Sequence, residues 1–423
     1  MSTMMDQQAE ADRQPLEEID VSEAALYRDD AWRPYFARLR REAPVHYLED
    51  SVNGAFWSVT THPLIKQVDT NHEVFSSGVG GISIVDGPPA GTPEDETQEI
   101  ENFISMDPPR HDEQRNTVQP SVAPRNLKNM EPLIRERVVD ILDNLPVGET
   151  FNWVDKVSIE LTARMLATLF DFPYEDRRKL VHWSDITTAI PQVTGDDGID
   201  MKQRHEDLME CASTFYQLWS ERAAQPPAYD LISMLAHGEA TRNMNEDPAL
   251  FLGNILLLIV GGNDTTRNSI SGGVVALNEY PDEYQKLREN PDLIPNMVAE
   301  MIRWQTPVIH MRRTATQDFE LGGENIREGD KVVMWYLSGN RDENVFPDAE
   351  RLIIDRPNAR QHVSFGYGIH RCMGNRLAEM QLRVLWEEIM QRFDKVELAG
   401  EVERLPNNFI RGVKDVPVRL HPR

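Results

Sequence analysis

Ten residues near the C-terminus, FGYGIHRCMG from Phe365 to Gly374, set a cysteine in a glycine-rich turn. The chain has only two cysteines, Cys211 and Cys372, so a zinc centre built from several thiolates is excluded. One thiolate suffices for a metal that brings its own ligands, and haem iron with four porphyrin nitrogens is such a metal. Gly366, Gly368 and Gly374 permit a tight turn and close backbone approach. The stretch NRLAEMQLRVLWEEIMQRF follows, with Leu377, Met380, Val384, Leu385 and Ile389 on one helical face. Cys372 is therefore expected at a helix N-terminus, where free N–H groups and the helix dipole favour a thiolate. An isolated cysteine is otherwise a small, inert, buried residue, and that reading suits Cys211.

A second segment with chemical content lies inside a long helix. Asp247 can cap it and Pro248 suits its first turn. Nothing stops it before Tyr280-Pro281, which predicts about 32 residues and roughly 48 Å. Its centre reads GGNDTT, Gly261 to Thr266. Two glycines there cost roughly 1 kcal/mol each relative to alanine. Gly-Gly alone suits a kink or a close helix crossing, but Asp264 beside Thr265 adds an acid and an alcohol able to pass protons. Farther on, Glu300 and Arg303 in EMIR form an i,i+3 pair, a spacing that usually marks a surface ion pair of little weight. His111 and Arg115 lie four apart in DPPRHDEQR, Arg313 precedes a strand, and His370 is two residues before Cys372. Taken singly, each suits a solvated charge.

Together these segments resemble the cytochrome P450 family. Phe365, Gly366, Gly368, His370, Cys372 and Gly374 match its haem-binding loop position for position. The resemblance implies a mainly α fold with a minor β region: a triangular helical prism with haem b between the long central helix and the cysteine-loop helix. It implies Cys372 as axial ligand to the haem iron, with Phe365 shielding the sulfur. His111, Arg115, Arg313 and His370 match positions that hold the haem propionates. Asp264 and Thr265 match the acid and alcohol that deliver protons to O2, while Gly261 and Gly262 leave room for it. Glu300 and Arg303, completed by Arg356 in IDRP, match a structural network that braces the haem loop. The likeness covers Asp20 to the C-terminus. It is nearest to bacterial members that hydroxylate alkanes and fatty acids at the terminal carbon, through LIVGGNDTTRNSISGGVVALNEYP, RWQTPVIHMRRTA and VVMWYLSGNRD.

The remaining sequence sets limits. With 423 residues and about two fifths of them apolar, the chain can bury a sizeable core. A formal charge of −26 argues against a general nucleic-acid binder. Two cysteines argue against a disulfide framework and suit a reducing cytoplasm. The N-terminus has no signal-peptide pattern, and the longest apolar run, Ile255 to Val260, is too short for a transmembrane anchor. Residues 1–20 read as a flexible tail and 21–423 as one catalytic domain. Pro44–Glu49 and Gly54–Thr60 predict a hairpin, and residues 126–225 are mostly helical apart from an irregular piece at 190–199. Ser76–Glu101 reads as a long loop. Asp318–Ile326, Lys331–Leu337 and Val416–Leu420 read as strands.

These readings converge on a monooxygenase acting on a hydrophobic small molecule. Ile82, Ile84, Leu257, Val260, Gly261, Ile309, Met311 and Phe409 are the expected pocket lining. An apolar, narrow funnel admits a linear chain end-on, so that positioning overrides the greater strength of terminal C–H bonds. No flavin or iron–sulfur module is apparent, so electrons are expected from NAD(P)H through a ferredoxin reductase and a ferredoxin. Arg110, Lys128, Arg371 and Arg376 offer a basic docking patch. Two alternatives stand beside this: the same chemistry on terpenes or other alicyclic compounds, and a non-enzymatic haem sensor. The Asp264-Thr265 pair argues against the sensor and against peroxide-driven hydroxylation.

Overall fold

Pro248–Glu279 forms one unbroken helix of 32 residues. Asp247 caps it, its carboxylate accepting from the N–H groups of Ala249 and Leu250 at 3.1 Å. The computed structural model describes residues 4–87 and 100–423, and is mainly helical with a smaller set of strands. The central helix is long and apolar enough to cross a bilayer by length alone. Here its two halves instead lie in two protein cores. Residues Phe251 to Ile259 pack with the helices Ile159–Phe170, Arg177–Thr188 and Met201–Ala223. Residues Ile270 to Leu277 pack with Pro124–Asp143, Ile294–Gln305 and Asn375–Arg392.

Small residues set how closely these helices cross. A Cβ on Gly272 would stand 2.1 Å from Oε1 of Gln305, and one on Gly273 would stand 2.9 Å from the sulfur of Met301. Only glycine lets the Ile294–Gln305 helix lie so near the central one.

A five-stranded sheet flanks the helices in the order Val45–Leu48, Phe56–Val59, Lys331–Met334, Met311–Ala315, Phe75–Ser76. The predicted hairpin pairs Val45 with Val59 and Leu48 with Phe56. Met311 pairs with Met334 and Arg313 with Val332, which fixes Arg313 on a strand whose neighbours are buried. Three expectations change. The strand predicted over Lys331–Leu337 ends at Met334, and Tyr336–Gly339 turns helical. The tail expected to be flexible contains the helix Met4–Arg13, docked with Ala11 fully buried and its carbonyl accepting from Arg38 Nη1 at 2.7 Å. The irregular piece at 190–199 includes one helical turn, Pro191–Thr194. Of the loop expected over Ser76–Glu101, residues 88–99 lie outside the described residues.

The Glu300–Arg303 pair is fully buried, unlike the surface pair that its spacing suggests. Arg303 donates to both carboxylate oxygens of Glu300, at 2.7 and 2.8 Å, and Arg356 Nε donates at 3.0 and 3.1 Å. Arg303 also holds the carbonyl of Asn340 at 2.6 Å. Asn340 in turn accepts from Val363 N–H and donates to Ser364 Oγ, both at 2.8 Å, at the entry to the cysteine turn. The triad thus braces that turn through Asn340. Removing one member leaves uncompensated charge in the interior, at about 3–5 kcal/mol. Glu300→Ala is therefore expected to lower the thermal midpoint sharply, and a variant that melts with the parent would contradict the brace.

Candidate functional site

The turn that carries Cys372 is held from both sides. Cys372 N–H donates to the carbonyl of Phe365 at 2.8 Å. Gly366 and Gly368 adopt φ of +64° and +65°, the left-handed region that disfavours side chains. A Cβ on Gly368 would stand 2.5 Å from the carbonyl oxygen of Asp69. Gly374 is different: its φ is −86° and a Cβ there would meet nothing within 4 Å. It is not needed for the turn and instead leaves a wall of the cavity bare.

The helix Asn375–Arg392 begins three residues after Cys372. The sulfur opens onto a cavity deep inside the protein. Burial pushes its thiol up, against the opposing pull of the Gly374 N–H, Arg115, Arg371 and the Asn375 N–H. A metal cation held at this sulfur would offset the cost of desolvating its anion.

The cavity has a volume of about 1150 Å³ and lies between the cysteine turn and the central helix. Cys372, Phe365 and Gly374 line it on one side. Across it, Leu257, Gly261 and Thr265 recur every fourth residue on one helix face, with Val260 beside them. The two central glycines have separate reasons. A Cβ on Gly261 would meet nothing within 4 Å and would project into the cavity, while one on Gly262 would stand 2.7 Å from Cδ2 of Leu166. Thr265 Oγ1 faces the cavity and donates to the carbonyl of Gly261 at 3.0 Å.

Asp264 points the other way. Its carboxylate accepts from Ser184 Oγ and Asn263 Nδ2 at 3.0 Å and from Arg267 at 2.9 Å. Arg267 also reaches Asp185, a half-exposed carboxylate, at 2.8 Å. Burial raises the Asp264 carboxyl above its ordinary range, and Arg267 only partly offsets this. The acid and the alcohol are adjacent in sequence but lie on different faces of the helix, one toward a polar cluster that reaches the surface, the other toward the cavity.

Of the expected pocket lining, Ile82, Leu257, Val260, Gly261, Met311 and Phe409 line the cavity. Ile84 and Ile309 do not. Both are fully buried in a separate core with Phe36, Trp335 and Leu337. Phe103, Leu252, Leu256 and Arg204 also line the cavity and were not singled out by sequence. Their helical or loop positions carry no signal distinguishing cavity from core.

The four basic residues converge on one end of the cavity. The His111 and His370 rings lie 4.2 Å apart, and Arg115 and Arg313 line the wall beside them. Nε2 of His111 and both ring nitrogens of His370 are buried without a hydrogen-bond partner among the described residues. Such an atom costs about 1–3 kcal/mol. Burial, together with Arg313, His111 and Arg115 nearby, pushes His370 down to about 2. Unpaired donors beside two guanidinium groups call for an anionic partner, and the propionates of a haem whose iron is held by Cys372 fit that demand. These residues suit the group.

Asp69 is the member that sequence reading missed. Fully interior, it accepts from Arg313 Nη2 at 2.8 Å, Tyr336 Oη at 3.1 Å and Tyr367 N–H at 2.6 Å. One carboxylate therefore fixes both the strand arginine and the cysteine turn. Burial raises its pKa despite Arg313. Its short helix, HPLIKQVDT, offers no pattern that marks it.

Comparison with known proteins agrees with this geometry. The Cytochrome P450 family profile matches residues 129–414. The chain is 38% identical over 418 residues to linalool 8-monooxygenase of Pseudomonas putida, covering 96% of this chain and 100% of the relative. It is 30% identical over 426 residues to the methyl-branched lipid omega-hydroxylase of Mycobacterium tuberculosis, covering 96% and 95%. The structure of cytochrome P450-153 from Novosphingobium aromaticivorans superposes with a TM-score of 0.89 at 48% identity, covering 95% of this chain and 99% of that one. The family profile and the relative at 38% identity, in agreement with the cysteine turn, the cavity and the glycine-opened helix, show that the chain belongs to the cytochrome P450 family, as a monooxygenase.

Proposed function

We propose that this monooxygenase hydroxylates the terminal carbon of medium-chain linear alkanes or fatty acids, giving primary alcohols. The observation that carries the reading is the cavity: mostly aliphatic walls run from Leu252 and Leu256 to Gly261 and Thr265, opposite Cys372. A flexible chain fits such a space and exposes its end to the reactive face. The similarity to a methyl-branched lipid omega-hydroxylase supports attack at a chain end. Similarity to a linalool monooxygenase favours the second reading, a terpene as substrate in the same space.

Haem b, when bound through Cys372 with its propionates at His111, Arg115, Arg313 and His370, supplies activation of O2 and insertion of one oxygen atom. The net reaction consumes RH, O2, two electrons and two protons, and yields ROH and water. The protein's part is to bring the protons and exclude bulk water. Asp185, half exposed, marks where the polar cluster meets solvent, and Arg267 links it to Asp264. Burial raises the Asp264 carboxyl above its ordinary range, which favours its holding a proton. Because that carboxylate is turned from the cavity, transfer to Thr265 requires it to leave Arg267 and swing inward. Thr265 Oγ1, already tethered to Gly261, then donates into the cavity. Electrons come from a separate ferredoxin and its NAD(P)H-dependent reductase in the cytoplasm, docking near Arg371 and Arg376, which are exposed on the cysteine side.

Two outcomes test the reading. With surrogate ferredoxin and reductase, n-octane is expected to give 1-octanol as main product. Predominantly internal alcohols, or a terpene oxidised in its place, would move the assignment to the second reading. Thr265→Ala is expected to keep consuming NADH while the alcohol formed per NADH falls roughly tenfold or more, with hydrogen peroxide rising to match. Unchanged coupling would remove Thr265 from proton delivery.

A further inference from the structure

Three arginines line the cavity: Arg115, Arg204 and Arg313. Arg313 is neutralised by Asp69. Arg115 belongs to the basic cluster already described. Arg204 stands apart from both, in the first turn of the Met201–Ala223 helix. Its Nε donates to the carbonyl of Ile186 at 2.8 Å and its Nη2 to that of Thr187 at 3.2 Å. These are terminal carbonyls of the Arg177–Thr188 helix, which lack partners within their own helix.

Capping that helix end accounts for two of the donors and for the orientation of the guanidinium. It does not account for the charge. Among the described residues no carboxylate lies within ion-pair distance of Arg204, and burial lowers its pKa with no acid to offset it. The buried arginines have such partners: Arg267 has Asp264, Arg303 and Arg356 have Glu300, and Arg312 has Asp86. A half-buried cation without an anion is costly unless a ligand provides one.

The surroundings define that ligand. Met201 and Leu208, on the same helix face as Arg204, line the cavity, and so does Met209, which is 42% exposed. Arg204 therefore borders the same cavity as Gly261, Thr265 and Cys372. We propose that Arg204 is a carboxylate-binding subsite, holding the head group of a medium-chain fatty acid whose alkyl chain runs inward between Leu208, Leu252 and Leu256. This rests on the linear-chain reading given above and narrows it toward acids over alkanes. The guanidinium is pre-oriented by the two carbonyls, so little side-chain freedom is lost when a carboxylate arrives.

The test is calorimetric titration of the haem-loaded protein with decanoate and with 1-decanol, for the parent and for Arg204→Gln and Arg204→Lys. Arg204→Gln is expected to weaken decanoate binding by about tenfold or more while 1-decanol changes less than about twofold. Arg204→Lys should retain most decanoate affinity, since charge is kept. Equal losses for both ligands would show that Arg204 only supports the helix end, and unchanged decanoate affinity would remove the subsite outright. In either of those cases, terminal hydroxylation of n-octane by the parent would leave the linear-chain reading standing. A parent protein that binds neither linear ligand would overturn both.

Discussion

A helix buried along most of its length cannot also border an open reaction space unless it gives up side chains where it passes that space. The Pro248–Glu279 helix meets this constraint at Gly261, whose missing Cβ faces the cavity, and the rest of the structure is arranged around it. Its first half lies in one core and its second half in another. Burial at both ends outweighs the roughly 2 kcal/mol that two central glycines cost. Gly262, one residue on, serves a different end by letting Leu166 pack against the bare backbone. A single dipeptide therefore opens the cavity on one face and closes the helix packing on the other.

The opposite wall depends on electrostatics. Cys372 opens onto the cavity, and desolvation there pushes its thiol up while the N–H groups of Gly374 and Asn375 pull it down. Asp112 reaches His111 Nδ1 at 2.7 Å, but among the described residues no carboxylate pairs with Arg115 or His370 as Asp69 pairs with Arg313. A haem bound here would meet both demands together, with Cys372 holding its iron and His111, Arg115, Arg313 and His370 holding its propionates. Asp69 and Glu300 then act at one remove. Each is a buried carboxylate that ties a strand or helix to the cysteine turn, and each is satisfied by several donors, as a buried charge must be.

Much of this was legible in the sequence, for identifiable reasons. Asp247, Pro248 and Pro281 bound the central helix because capping and proline act locally. The cysteine turn was legible because Gly366 and Gly368 need positive φ, a requirement written in residue type. What depends on tertiary placement was not. Ile84 and Ile309 look like lining residues but lie in core, while Ile82 and Met311, two residues away on each strand or loop, line the cavity. Nothing in the sequence tells which side of the helix Asp264 takes. Asp69 and Arg204 have no motif, and their roles exist only because distant segments meet. The N-terminal helix was missed because its polar, acidic composition hides the one buried contact, Ala11, that docks it.

The measurement that reaches the central claim most directly is the carbon monoxide difference spectrum of the reduced, haem-loaded protein, for the parent and for Cys372→Ala. The parent is expected to show the strongly red-shifted Soret band of thiolate-ligated haem, and Cys372→Ala should lose it. The same red-shifted band in Cys372→Ala, or its absence from a fully haem-loaded parent, would contradict the assignment of Cys372 as the axial ligand.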